Sequence, residues 1–407
     1  MVLDTTEKYV KDEEDSDVGC LIAIFVPTML LFPMNRGGKG GHRKWGTRFK
    51  RFWAGEWQGL LDESRNFAEQ GRHVFAPRGD GPVDGVSEPS LEEIKLRAAE
   101  RFVRQGELSR AARRLTAAKV APATAATLQQ VKDLHPAAPL PRKPQTQNSP
   151  DEPAVPLTVP PRVLLAALKT APRGSAAGPT GWRYEHLRAC MGEGDASAED
   201  GTVPLPSFVY RMLAGNMPDS CTTTLSAARL FALMKDNGGV RPIAVGDVLR
   251  RWVTKAVCME NKLAFEDDFA PLQFAVGTSA GGEKIFRACQ TYLETRRDDS
   301  DRRVLVTLDC KNAFNSIDRQ AILDELGTKW PSFVDSFWQF YGTPAELWYR
   351  MEDGRTETIL SQEGDAKRTL RIVILSMWDA SSWLFRGTSI RPPGAQRRGH
   401  TDGWIDG

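Results

Sequence analysis

Apolar positions recur along this chain at two different periods, and the change from one to the other outlines its architecture. Ile94, Ala98, Phe102 and Val103 return near helical spacing through LEEIKLRAAERFVRQ, as the buried face of an amphipathic helix does. Just before them, Ser90-Leu91-Glu92-Glu93 reads as a capping box, in which the serine and glutamate answer each other's backbone N–H groups. Gly106 ends that run, and Glu107–Ala118 predicts a second helix with arginines on its outer face. Further helices are predicted over Arg162–Lys169, Arg183–Cys190 and Pro206–Ala214. The pattern then shortens. Arg229–Met234 and Val240–Val245 flank Lys235-Asp236-Asn237-Gly238-Gly239, and Asn-Gly between two strand-like runs predicts a hairpin. Asp247 is placed to cap a helix through VLRRWVTKAVCMENKLAF. Gly281-Gly282 precede a helix over Glu283–Thr295. Val304–Leu308 predicts a buried strand that delivers Asp309 at its end. Asp318 caps a helix over Arg319–Leu326, and Glu346–Met351 with Thr356–Leu360 predict a second hairpin turning at Asp353-Gly354. The class is α+β.

From His135 to Pro161 there are nine prolines and few apolar residues, so this stretch is expected to be an extended linker between domains. The apolar run Cys20–Phe32 follows an acidic stretch and contains Pro27. It is too short to span a bilayer, and its negative flank is wrong for a signal peptide. A buried segment is expected there, and no membrane partner. The six cysteines are scattered without a Cys-x-x-Cys pair, which argues against a zinc site and fits a reducing, intracellular compartment, with a nuclear one left open. Net charge is only +2, so bulk charge does not announce a nucleic-acid binder; its distribution says more. Between Arg36 and Arg51 stand seven Lys or Arg and no acid, with Trp45, Phe49, Phe52 and Trp53 in or beside them. Lys39, Arg43, Lys44, Arg48, Lys50 and Arg51 are therefore candidate nucleic-acid contacts. A solvated helix face with a packed apolar side accounts for the same pattern equally well.

Asp309 carries the chemistry. A carboxylate at the end of a buried strand, followed by a turn and a helix, is held where a magnesium ligand is needed for phosphoryl transfer. The feature alone is also that of a helix cap or a turn. The surrounding string decides more: VLVTLDCKNAFNSIDR (Val304–Arg319) resembles the first catalytic motif of reverse transcriptases, in the form common among non-LTR retrotransposons. GPTGWRYEHL (Gly178–Leu187), RLFALMKDNGGVRPIAVGDVLRRWVTKAV (Arg229–Val257) and QFAVGTSAGGEKIFRACQTYLE (Gln273–Glu294) resemble the fingers blocks of that group, in the right order.

The resemblance implies a right-hand polymerase fragment, with fingers over 162–302 and a partial palm over 303–375. Ahead of these come an acidic then apolar segment (1–35), a basic, mainly helical region (36–134) and the linker (135–161). It implies Mg2+ as cofactor, with Asp309 as ligand and the Cys310 carbonyl as a backbone ligand. Phe314 matches the aromatic under the incoming sugar, although an ordinary core phenylalanine would look the same. Arg241 matches the arginine that grips the nucleotide triphosphate, with Lys235 assisting; a surface arginine at a hairpin end is the alternative. A planar guanidinium suits that task because it binds phosphate oxygens bidentately. The implied partners are an RNA template, a DNA primer and deoxynucleotide triphosphates.

The resemblance stops sharply. ILSQEGDA (Ile359–Ala366) leads toward the next block, but Lys367 stands where a glutamine is expected, and the following Gly-Asp-Pro is absent. The tail 376–407 reads as aberrant, as a shifted frame would make it. No aromatic-x-Asp-Asp follows Asp309. Phe265-Glu266-Asp267-Asp268 matches that string but lies upstream, at a helix end, and Asp298-Asp299 sits in a charged loop. One carboxylate of the three expected is present, so the chain itself is expected to be inactive. A non-catalytic nucleic-acid-binding remnant and a pseudogene product are the competing readings.

Overall fold

The computed structural model describes residues 16–31, 41–69, 90–104, 106, 108–144, 157–191, 207–269, 274, 278–295 and 312–364. They form a mixed α+β structure of short helices and one four-stranded sheet. Strands β1 (Ala228–Met234) and β2 (Val240–Gly246) make the first hairpin, and β3 (Ala345–Arg350) and β4 (Thr356–Ser361) the second. Both hairpins stand where the alternating pattern puts them. Their turns are closed by backbone bonds from Lys235 N to Gly239 O and from Met351 N to Arg355 O, each 2.8 Å. Gly238 and Gly354 take φ of +78° and +88° there, a region only glycine enters cheaply.

The order is β2-β1-β3-β4. β1 pairs antiparallel with β2 and parallel with β3, so a single sheet joins hairpins from the expected fingers and the expected palm. One face of it is covered. Ala228, Leu230 and Ala232 of β1 pack there with Leu347, Tyr349 and Ile359 against Val131 of helix Ala125–Asp133. The chain approaching that helix continues the pairing, since Ala121 N donates to Ala232 O and Met234 N donates to Lys119 O, both 2.8 Å.

A larger, helical core lies beside the sheet. The apolar run forms helix Ser16–Leu30 within it, with Cys20, Ile24, Met29 and Leu30 no more than 2% exposed. Among the described residues no helix is long and apolar enough to cross a membrane. Helix Val248–Glu260 runs through the same core, and its buried Trp252 donates Nε1–H to Leu164 O at 2.8 Å. The sequence pattern runs this helix on to Phe265, but the structure breaks it at Asn261. The Asn261 amide takes the Val257 carbonyl at 2.9 Å, and a new helix, Lys262–Phe269, begins. Asparagine competes with the backbone for such carbonyls, which is why it ends helices.

The helix Asp219–Ser226 (DSCTTTLS) was not signalled by any apolar period. Thr222, Thr223 and Thr224 each donate their hydroxyl to the carbonyl four residues earlier, at 2.7, 2.8 and 3.0 Å. Packing of Cys221 and Leu225, both 0% exposed, holds a helix that local propensity would not. The capping box forms as the sequence implies, with Ser90 N donating to Glu93 Oε2 at 2.8 Å and Glu93 N donating to Ser90 Oγ at 3.2 Å. The first part of the proline-rich stretch is extended but docked. Ala138 N donates to Gln362 Oε1, Arg142 exchanges two bonds with Gln320, and Lys143 pairs with Asp335.

Candidate functional site

The hairpin β1–β2 is fixed at its base by a lock that spans 67 positions of sequence. Asp247, which follows β2, is fully buried. Its Oδ1 accepts from Leu249 N at 2.9 Å and so caps helix Val248–Glu260. Its Oδ2 accepts both the backbone N–H of Thr180, at 3.1 Å, and the Thr180 hydroxyl, at 2.5 Å. Burial pushes the Asp247 carboxyl above its ordinary range, and the Thr180 hydroxyl bond opposes that rise. Gly178 has to be glycine here, because a Cβ would overlap the backbone of Gly246 and Asp247. The same loop is tied to the first helix, since Trp182 Nε1 donates to Ala23 O at 3.1 Å and the Thr28 hydroxyl donates to Thr180 O at 3.0 Å. GPTGW is therefore a clamp on the root of the hairpin.

Arg241 and Lys235 are both exposed, at the far end of that hairpin. The register puts Arg241 opposite Leu233, Ile243 opposite Phe231 and Val245 opposite Arg229. Directly opposed residues share a face, and alternation puts this one away from the covered side. β3 adds Trp348, aligned with Arg229, and Arg350. The open face thus carries Arg241, Arg229 and Arg350 with two aromatics, Phe231 and Trp348, and one acid, Glu346, whose Oε2 accepts from Trp348 Nε1 at 2.9 Å. The Arg229 guanidinium lies over the Phe231 ring, 5.5 Å from its centroid. Burial, then the nearby Arg183 and Arg350, lowers its proton affinity.

Phe314 belongs to the other end of the sheet. It follows Asn312, whose side chain donates to Leu134 O at 2.8 Å, in the short helix Ala313–Ser316. It is partly buried against the helical core. The segment 312–319 is packed on the end of β4. Gly364 N donates to Ile317 O at 2.7 Å, and a Cβ at Gly364 would overlap the backbone of Phe314 and Asn315. Arg319, 3% exposed, clamps the junction: Nη2 donates to Ser361 O at 2.8 Å, Nη1 to Thr343 O at 3.1 Å, and Nε to Gly364 O at 3.3 Å. Asp318 caps the next helix, Arg319–Lys329, through Gln320 N at 2.7 Å. Between the level of Arg241 and that of Ser361 lie about seven residues of strand, ~23 Å at ~3.3 Å per residue. The structure brings Arg241 together with Lys235, and Phe314 together with the ILSQEG segment, but leaves these two groups at opposite ends.

Asp309, Cys310 and the strand expected over Val304–Leu308 lie outside the described residues, as does Lys39. Among the described residues no group of three or more His, Cys, Asp or Glu could hold a metal ion, and the expected ligands are not among them. Arg43 and Lys44 fall on helix Gly41–Trp53, and their side chains are outside the described set. On the same helix Arg48 is 6% exposed and pairs with Glu63 at 3.2 Å, while Arg51 pairs with Glu56 and Glu63 at 2.9 Å each. Lys50 is exposed. On that helix Phe52 is buried while Phe49 and Trp53 are exposed, and two of the six basic candidates are engaged within the chain.

No protein-family model matches the chain. Over 166 residues, 41% of the chain, it is 26% identical to the Retrotransposable element SLACS 132 kDa protein of Trypanosoma brucei gambiense. The likeness is that of a retrotransposon-related sequence. It covers 12% of the trypanosome protein, so the chain spans only a small part of that relative's length. Sequence reasoning quoted GPTGW and Arg319 without giving them work. Thr180, Asp247 and Arg319 hold the frame; only the capping role of Asp247 had a local signal.

Proposed function

We propose that this chain is the fingers and part of the palm of an RNA-directed DNA polymerase from a non-LTR retrotransposon. The intact parent adds deoxynucleotides to a primer by magnesium-dependent phosphoryl transfer; this chain does not, because it holds one of the three carboxylates such a site uses. The observation that supports the reading best is the open sheet face. Guanidinium groups at Arg241, Arg229 and Arg350, interleaved with Phe231 and Trp348, suit a nucleic-acid strand, with phosphates on the cations and bases on the rings. The internal pairing of Arg48 and Arg51 makes helix Gly41–Trp53 a weaker alternative platform.

Fluorescence anisotropy with a 5′-overhanging RNA template on a DNA primer tests this. Weak, salt-sensitive binding is expected, with Arg241→Ala and Phe231→Ala each weakening it by about tenfold, the scale of one stacked base. No primer extension is expected with Mg2+ and all four deoxynucleotides. Binding indifferent to Phe231→Ala would remove the sheet face from the proposal. Template-dependent extension abolished by Asp309→Ala would show a working polymerase and overturn the inactivity.

A further inference from the structure

We propose that Cys20 and Cys221 are a peroxide-responsive modification site, which closes to a reversible disulfide and fastens the root of hairpin β1–β2. Cys20 lies on helix Ser16–Leu30, and Cys221 in the first turn of helix Asp219–Ser226. The two helices pack on each other, and both residues are buried in the helical core. Both cysteines are free, and the Cys221 thiol donates to the Cys20 sulfur. Arg211 reaches the same sulfur from helix Ser207–Ala214, with Nη1 3.8 Å from Sγ, and its Nη2 pairs with Asp17 at 3.5 Å. The Asp17 side chain is 60% exposed and that of Arg211 24%. The Cys20 sulfur therefore lies one side chain beneath the surface.

Thiols are oxidised through the thiolate. The bond from Cys221, then the Arg211 cation, hold the Cys20 thiol down to about 7 against the opposing effect of burial, whereas Cys221 keeps its proton more tightly than an ordinary thiol. Cys20 is thus the attacking sulfur and Cys221 the resolving one. The Cys20 thiolate attacks one oxygen of hydrogen peroxide, the O–O bond breaks, and the departing hydroxide takes up a proton as water. The Cys221 sulfur then attacks the sulfenic sulfur of Cys20. An S–S bond forms, the S–O bond breaks, and hydroxide leaves with the Cys221 proton as a second water. Two thiols and one peroxide give one disulfide and two waters. The helix of Cys221 runs through Ala227 into β1. The helix of Cys20 holds the GPTGW loop through Ala23 O and Thr28, and Thr180 of that loop holds Asp247 after β2. The disulfide joins the supports of both strands. In a reducing compartment the pair rests as thiols and closes only under oxidant, as sensing disulfides do.

Peptide mapping of the full chain tests the site. The reduced protein is treated with hydrogen peroxide, alkylated under denaturing conditions and digested. A linked Cys20–Cys221 peptide pair is expected to form several-fold faster than the exposed Cys190 is oxidised, and to vanish with dithiothreitol. Cys20→Ser or Cys221→Ser should remove the linked pair, and Cys190→Ser should keep it. The oxidised chain should melt about 5 °C above the reduced one, because the cross-link restricts the unfolded chain. If a serine variant does not fold, the map of the unmodified chain still decides. Cys20 carried to sulfinic acid without a linked pair, or both thiols still alkylatable once Cys190 is oxidised, would overturn the disulfide. Equal melting of the two forms would overturn the fastening of the hairpin root.

Discussion

Replacing Asp247 by alanine should unfasten the hairpin that carries Arg241. The substitution removes a helix N-cap, worth about 1 kcal/mol. It also strands the backbone N–H and the hydroxyl of Thr180, a residue that is 0% exposed. Each buried group left without a partner costs about 1–3 kcal/mol, so a total loss of about 3–7 kcal/mol is expected. Asp247→Asn keeps the shape and one acceptor but turns an amide toward a donor, for a loss of about 1–2 kcal/mol. Because burial already disfavours the ionised carboxyl, the neutral asparagine escapes part of that desolvation. Urea denaturation followed by far-ultraviolet dichroism gives the free energies. Adding Thr180→Val completes a double-mutant cycle, with a coupling of at least about 0.5 kcal/mol expected for groups in direct contact. An Asp247→Ala loss under about 0.5 kcal/mol, the range of an ordinary surface change, would refute the lock. Strict additivity with Thr180→Val would do the same.

Arg319→Met should loosen the junction between 312–319 and the end of β4, because it takes the donors from the carbonyls of Ser361, Thr343 and Gly364. A loss of about 3 kcal/mol is expected, with faster amide exchange at Gly364; unchanged exchange there would show that the clamp is dispensable. Stability should also fall on mild acidification. Burial holds the His135 imidazole below its ordinary 6.5, with the bond to Val131 O opposing the shift, and burial depresses His186 likewise. The folded state thus refuses a proton that the unfolded chain accepts. This contribution is complete above the unfolded value and is lost as pH falls through it toward the lower folded one. The urea midpoint should drop between about pH 7.5 and pH 5.5, by less in His135→Gln than in the unmodified chain; equal drops would exclude His135 as a source.

Much of the local structure was legible in the sequence for physical reasons that act over a few residues. The capping box at Ser90, the caps at Asp247 and Asp318, and both hairpins arise from backbone bonds to groups only two to four positions away. The helix over Asp219–Ser226 was not legible, because its threonines are poor helix formers and only burial against distant helices holds them. The α+β class and the retrotransposon character could likewise be read from pattern and motif. The order β2-β1-β3-β4 could not, since the parallel pairing of Ala228 with Leu347 joins residues more than a hundred positions apart, and no local preference specifies it. The sequence could nominate Arg48 and Arg51 as phosphate contacts, yet it took tertiary packing to set Glu63 against them. In the same way the sequence alone determined that Arg250 is a cation. Only the packing of Phe340 and Tyr341 around it buried its guanidinium, because burial depends on which distant segments meet.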